Sequence, residues 1–176
     1  MDNHLPATAI VAVVFLAVLS AVAWHMFSGE VVGRMDVGRR SPLGLHGSMR
    51  LTVRRVGRDR AATARLQASG AFGYRGIDLS RSEAARCVEL LRRCAKDGRV
   101  AEGAAGAKAG NMEVAPDLDH DGTRAIALVF PGDSETIDLR LLLTPAQAET
   151  AATWLRIAVA PGATLLQARR NARIAK

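Results

Sequence analysis

IDLSRSEAARCVELLRR at 77–93 and LRLLLTPAQAETAATWLRI at 139–157 decide the fold. Each begins as a strand and turns into a helix at a hydroxyl residue. Ser80 stands three residues before Glu83, and Thr144 three before Gln147. That spacing lets the hydroxyl accept from the backbone of the first helical turn while the Glu or Gln reaches back to the cap. Pro145 takes the first helical position, where its missing N–H costs little. Ala84, Cys87, Val88, Leu91, Cys94 and Ala95 then recur at helical spacing, with Arg86, Glu89, Arg92, Arg93 and Lys96 on the other side. Ala148, Ala151, Ala152, Leu155 and Val159 make the matching stripe of the second helix. Strand, cap and Ala-led helix ending in Leu-Arg thus occur twice, which reads as an internal repeat.

The repeat extends towards the N-terminus from each helix. Met49, Leu51 and Val53 alternate with Arg50, Thr52 and Arg54, and Ala62, Ala64, Leu66 and Ala68 alternate with Thr63, Arg65 and Gln67. Period-two patterning around a turn at 57–60 predicts a hairpin with one apolar and one polar face. A third strand fits 74–79. In the second unit, 112–115 is a short strand, and 124–130 is apolar on both faces and so reads as central. A turn at 131–134 leads to alternation over 137–143. Units of about 45–50 residues are too small to build a good core alone, so the two are expected to share one.

Residues 5–27, LPATAIVAVVFLAVLSAVAWHMF, contain no Lys, Arg, Asp or Glu. About 20 apolar residues suffice to cross a bilayer as a helix. A cleaved signal peptide is the competing reading, with Ala21-Val22-Ala23 as its site. Against it, the N-terminal flank has no cation and the apolar run continues through Trp24, Met26 and Phe27. A core helix would show a polar face, which is missing here. Arg34, Arg39 and Arg40 follow the segment, and that bias places the main domain in the cytoplasm, with an exported domain as the alternative. Ala17 and Ala21 form a small-xxx-small pair suited to helix packing.

The expected fold class is therefore α+β: one N-terminal transmembrane helix followed by a small domain of two β-β-β-α-like repeats. Its parts are a tail and anchor (1–27), a Gly-rich tether (28–47), a first unit (48–97), an Ala/Gly linker (98–110), a second unit (111–160) and a basic tail (161–176).

The chain has 176 residues, 49% hydrophobic, with a net charge of +7. That apolar share excludes a disordered chain. Two cysteines exclude a disulfide scaffold. Cys87 and Cys94 lie two helical turns apart, beyond disulfide reach, and read as buried thiols. Arginine supplies 21 of the 24 cations, which with the abundant Ala and Gly suggests a GC-rich bacterial or phage genome.

Candidate chemistry is sparse. Asp117, Asp119 and Asp121 precede Gly122 in the D-x-D-x-D-G form that opens an EF-hand loop, so calcium is the one metal candidate. The loop would need a bidentate Glu where Leu128 stands, and a solvated hairpin turn is the simpler reading. The histidines are scattered. Phosphate-binding glycine loops, nucleophile elbows and His-Glu zinc motifs do not occur, so no enzyme and no cofactor are expected. Arg50, Arg54 and Arg65 fall on the polar side of the first hairpin, a face that could contact partners or phosphates.

The order of strands then helix, twice, resembles the duplicated sheet-and-helix plan of some single-stranded-DNA-binding proteins. Such surfaces stack bases on aromatics, which total only 4% here. The leading expectation is a single-pass, inner-membrane-anchored scaffold or accessory subunit of a bacterial or phage-related envelope assembly. Its partners would be the lipid bilayer and protein subunits. A tethered nucleic-acid-binding module and an exported calcium-dependent domain are the alternatives.

Overall fold

The computed structural model describes residues 7–40, 46–57, 62–70, 73–97, 107–132 and 138–161. Helix α1 (Ala7–Phe27) leads into β1 (Glu30–Arg40), β2 (His46–Val56), β3 (Thr63–Gly70), β4 (Gly73–Leu79) and α2 (Arg81–Asp97). The second half runs β5 (Ala107–Ala109), β6 (Met112–Leu118), β7 (Arg124–Phe130), β8 (Leu139–Leu143) and α3 (Pro145–Ala158). All eight strands join one antiparallel sheet in the order β4-β3-β2-β1-β8-β7-β6-β5. Each half is a four-stranded meander followed by a helix. The halves meet where β1 pairs β8.

Alternation sets the core. Leu51 and Val53 on β2, Leu66 on β3, Ile126, Leu128 and Phe130 on β7 and Leu141 and Leu143 on β8 are buried against the helices. Ala84, Cys87 and Leu91 of α2 and Ala148, Ala151 and Leu155 of α3 complete the cluster. Each fully buried Leu or Ile contributes about 1.5–3 kcal/mol. Small alanines on both helices let them sit side by side, and Arg92 of α2 meets Glu149 of α3 at 3.4 Å. Both helix starts use their capping boxes. Ser80 N donates to Glu83 at 2.8 Å, and Thr144 N donates to Gln147 at 2.9 Å.

The expected fold class is corrected in two respects. The repeats are not β-β-β-α, because each half carries a fourth strand. In the first half that strand is β1, which occupies the stretch expected as a tether. Its glycines serve close approach rather than freedom. A Cβ at Gly33 would lie 2.1 Å from the indole of Trp154, so the residue is small to let α3 pack across β1. In the second half, β5 falls within the expected linker, whose residues 98–106 lie outside the described ones.

The second correction concerns the membrane. Among the described residues, no helix is long and apolar enough to cross a membrane. The single-pass anchor, the bilayer as partner and the inner-membrane placement are withdrawn on that finding. The expected basic tail beyond 161 lies outside the described residues.

Candidate functional site

The sheet has two faces, and the second is where the sequence expectations fall. On that face Arg54 of β2 is paired in register with Arg65 of β3, and Arg65 with Asp78 of β4. Both arginines are buried, at 8% and 4% exposure, although their alternation marks them as outward-facing. The expected surface role of Arg54 and Arg65 is thereby corrected. Buried guanidiniums need partners, and they have them. Arg65 forms a fork on Asp78, Nε to Oδ1 at 2.5 Å and Nη2 to Oδ2 at 2.6 Å. Arg54 Nε donates to Gln67 Oε1 at 2.8 Å, and Gln67 Nε2 donates to the Tyr74 hydroxyl at 2.8 Å. The bond to Asp78 holds the Arg65 pKa above its ordinary value. Burial, then repulsion from Arg34, pulls that of Arg54 below it.

These arginines also grip the end of α1. Arg65 Nη1 donates to Ser28 Oγ at 3.2 Å and Arg54 Nη1 to the Gly29 carbonyl at 3.1 Å. A helix ends with unpaired carbonyls and partial negative charge, so cations are favoured there. Gly29 has φ +96°, and a Cβ on it would lie 2.5 Å from the Arg55 carbonyl, so only glycine fits the turn into β1.

The same device recurs at the other two helices. Arg124 of β7 donates to the carbonyls of Cys94 and Ala95 near the end of α2. Arg55 of β2 donates to the Ala160 carbonyl just past α3, at 2.8 Å. Gln67 falls on the polar side of the first hairpin by alternation, but no role in holding a helix end or a buried arginine was expected of it, nor of Arg55, Arg124, Asp78, Tyr74 or Trp154. The arginine excess was the only signal, and it did not say which arginines would be buried.

Arg50 is exposed and pairs with Asp36 at 3.3 Å. It stands as an outward cation without the company expected of it. A phosphate-binding face built on Arg50, Arg54 and Arg65 would keep one of its three arginines free of the buried network.

Ala17 and Ala21 are exposed one turn apart on α1, with no second helix set against them among the described residues. Ile10, Val11, Val13, Val14, Phe15, Leu16, Val18, Leu19, Val22 and Trp24 are exposed as well. Apolar side chains point outward all round this helix, while the sheet and the other two helices bury theirs.

The acidic turn does not gather its three aspartates. Asp117 turns away to Arg140, at 3.0 Å. Asp119 accepts from the His120 backbone at 2.7 Å, and Asp121 accepts from Thr123 N at 2.9 Å. Asp119, His120 and Asp121 do place ligand atoms within 4.8 Å of one another. Their contacts are those of a tight hairpin, closed by Asp119 N to the Thr123 carbonyl at 2.7 Å. His120 holds the Asp119 carboxyl below its ordinary range, and Asp119 raises the His120 pKa in return.

Comparison with known proteins yields structures alone. No family model and no curated protein matches the chain. Among solved structures, one described in work on SsgB mutations and cell division during sporulation of Streptomyces coelicolor aligns with a TM-score of 0.46 and 13% identity. It covers 81% of this chain and 95% of that one. An SsgA-like sporulation-specific cell division protein from Thermobifida fusca aligns with a TM-score of 0.45 and 12% identity, covering 84% and 96%. Likenesses of this strength transfer neither a family nor a function.

Proposed function

We propose that the chain is a non-catalytic scaffold or accessory subunit that works by protein–protein contacts, with α1 as the element that joins a partner. The exposed apolar surface of α1 carries this reading. Burying apolar surface is favourable by about 25 cal/mol per Å², and a helix apolar all round is normally enclosed. Arg54 and Arg65 tie the end of α1 to the sheet, so a protein that encloses the helix also brings the folded domain to a set place. The occupant that suits such a surface is an apolar helical segment of another protein. Ala17 and Ala21 offer the close-approach side.

A photo-crosslinking residue in place of Val14, in the full chain and in the cells that make it, tests this. The expected adduct maps to an apolar segment of a second protein. Adducts confined to lipid, or none at all, would overturn the reading.

A further inference from the structure

A groove of about 360 Å³ lies between the first half of α2 and the end of α3. Ala85, Val88, Val159 and Pro161 give it an apolar floor. Arg81 and Arg156, both exposed, line it from the two helices. Among the described residues neither arginine takes part in an ion pair or side-chain hydrogen bond. On the same helices Glu83 accepts from Ser80 N, Glu149 pairs with Arg92 and Glu89 with Arg93. The groove therefore combines apolar surface with two positive charges that form no ion pair among the described residues.

We infer that this groove receives an acidic segment of a protein partner, an apolar side chain on the floor and flanking carboxylates on Arg81 and Arg156. This deepens the proposed function and rests on it. The chemistry favours a peptide over the other occupants. A small ligand needs convergent polar groups to orient it, and among the described residues the two arginines are the only polar side chains lining the groove. A nucleic acid needs an aromatic platform for its bases, and the floor has none. Arginine forks match carboxylates in two-point geometry, which gives such a contact its specificity. A basic rim also rejects basic segments, since like charges brought together in an interface are costly.

The test places a photo-crosslinking residue at Ala85 in the full chain, with the Val14 position run in parallel. The adduct is mapped by peptide mass spectrometry. The expected segment belongs to another protein and carries at least two Asp or Glu beside a large apolar residue. Reversing both charges, Arg81→Glu with Arg156→Glu, is expected to cut the Ala85 yield about tenfold and leave the Val14 yield unchanged. Arg81→Lys with Arg156→Lys keeps the charge but loses the forks, so a yield between that of the native chain and that of the charge reversal is expected, which also controls for folding.

An adduct within residues 162–176 of the same chain, on a neutral or basic segment, or insensitive to charge reversal overturns the inference. So does no adduct. If Val14 still captures a protein in those cases, the proposed function stands and the groove alone fails. If Val14 captures only lipid or nothing, the proposed function itself fails.

Discussion

The two halves of the sheet share a plan and differ in what their second face holds. In β2–β4 that face carries two hydrogen-bonded sets, Arg54 with Gln67 and Arg65 with Asp78. In β7 and β8 it carries Ala125, Ala127, Val129 and Leu142, a small apolar cluster as buried as the two arginines and Gln67. The core-facing rows are alike. Matching Ser80 to Thr144 sets Ala84 on Ala148, Cys87 on Ala151 and Leu91 on Leu155, all fully buried. The core row is constrained by volume against two helices. The second face can be sealed by either chemistry, provided every polar group finds a partner.

The largest effect should come from putting the first half's chemistry into the second. Ala127→Arg would bury a charge with no carboxylate in its cluster and force a long side chain into a filled space. Losses of about 3–5 kcal/mol are expected, read as a lower urea midpoint. A loss under about 1 kcal/mol would mean that this face is open to solvent, and the contrast between the halves would fail.

The reciprocal cut is Asp78→Ala, which leaves the Arg65 guanidinium buried without its fork. Because the Asp78 side chain is 44% exposed, water can replace part of what is lost, and about 1–3 kcal/mol is expected. Asp78→Asn keeps one acceptor and should lose less. If Asp78→Ala proves neutral while Arg65→Ala does not, packing of the arginine stem, and not the ion pair, holds this face together.

These two faces show where reading the chain stopped. The period-two pattern at 49–54 and 62–68 assigns Arg54 and Arg65 to the correct side of the sheet. Exposure is a separate property, set by what comes to lie over the residue. Here that cover includes Asp78 from β4 and Ser28 and Gly29 from the end of α1, each far from the arginines in sequence. The glycines of 28–47 misled for a related reason. Gly33 reads as flexibility in one dimension and is a contact with Trp154 in three. Capping boxes and the buried stripes of α2 and α3 were legible because every atom involved lies within a few residues. Of the residues expected at the functional site, Ala17 and Ala21 were placed on a real helix, but nothing local could say what covers it.

The matched core rows permit a sharper comparison through Cys87, the one ionisable residue in them. Burial pushes its thiol from an ordinary 9.0 up to about 12. Above pH 9 the unfolded chain loses this proton while the folded chain keeps it. Stability contributed by the neutral thiol is thus complete below pH 9 and is lost between pH 9 and about 12. The slope attributable to this group is about 1.4 kcal/mol per pH unit in that window. Cys87→Ala, which copies Ala151 of α3, should remove that slope while other groups titrate as before. The difference between the two proteins' urea midpoints from pH 8 to 11 isolates it. Identical slopes would mean that the thiol ionises as freely in the fold as in the unfolded chain.

The smallest effect asks whether the two helix starts are as equivalent as their spacing suggests. Thr144 Oγ1 accepts from Gln147 N at 3.2 Å and Ser80 Oγ from Glu83 N at 3.3 Å, so Thr144→Ala and Ser80→Ala should each lose about 1 kcal/mol. Acid separates them. The Ser80 bonds hold the Glu83 carboxyl below its ordinary range, so what that carboxylate adds is present above the unfolded pKa and fades as the pH falls through the folded one. Gln147 does not titrate. The loss from Ser80→Ala should therefore shrink in acid, whereas that from Thr144→Ala should hold constant. Parallel losses at every pH would show that the carboxylate adds nothing beyond the hydroxyl, and that the two caps work as neutral hydrogen bonds alike.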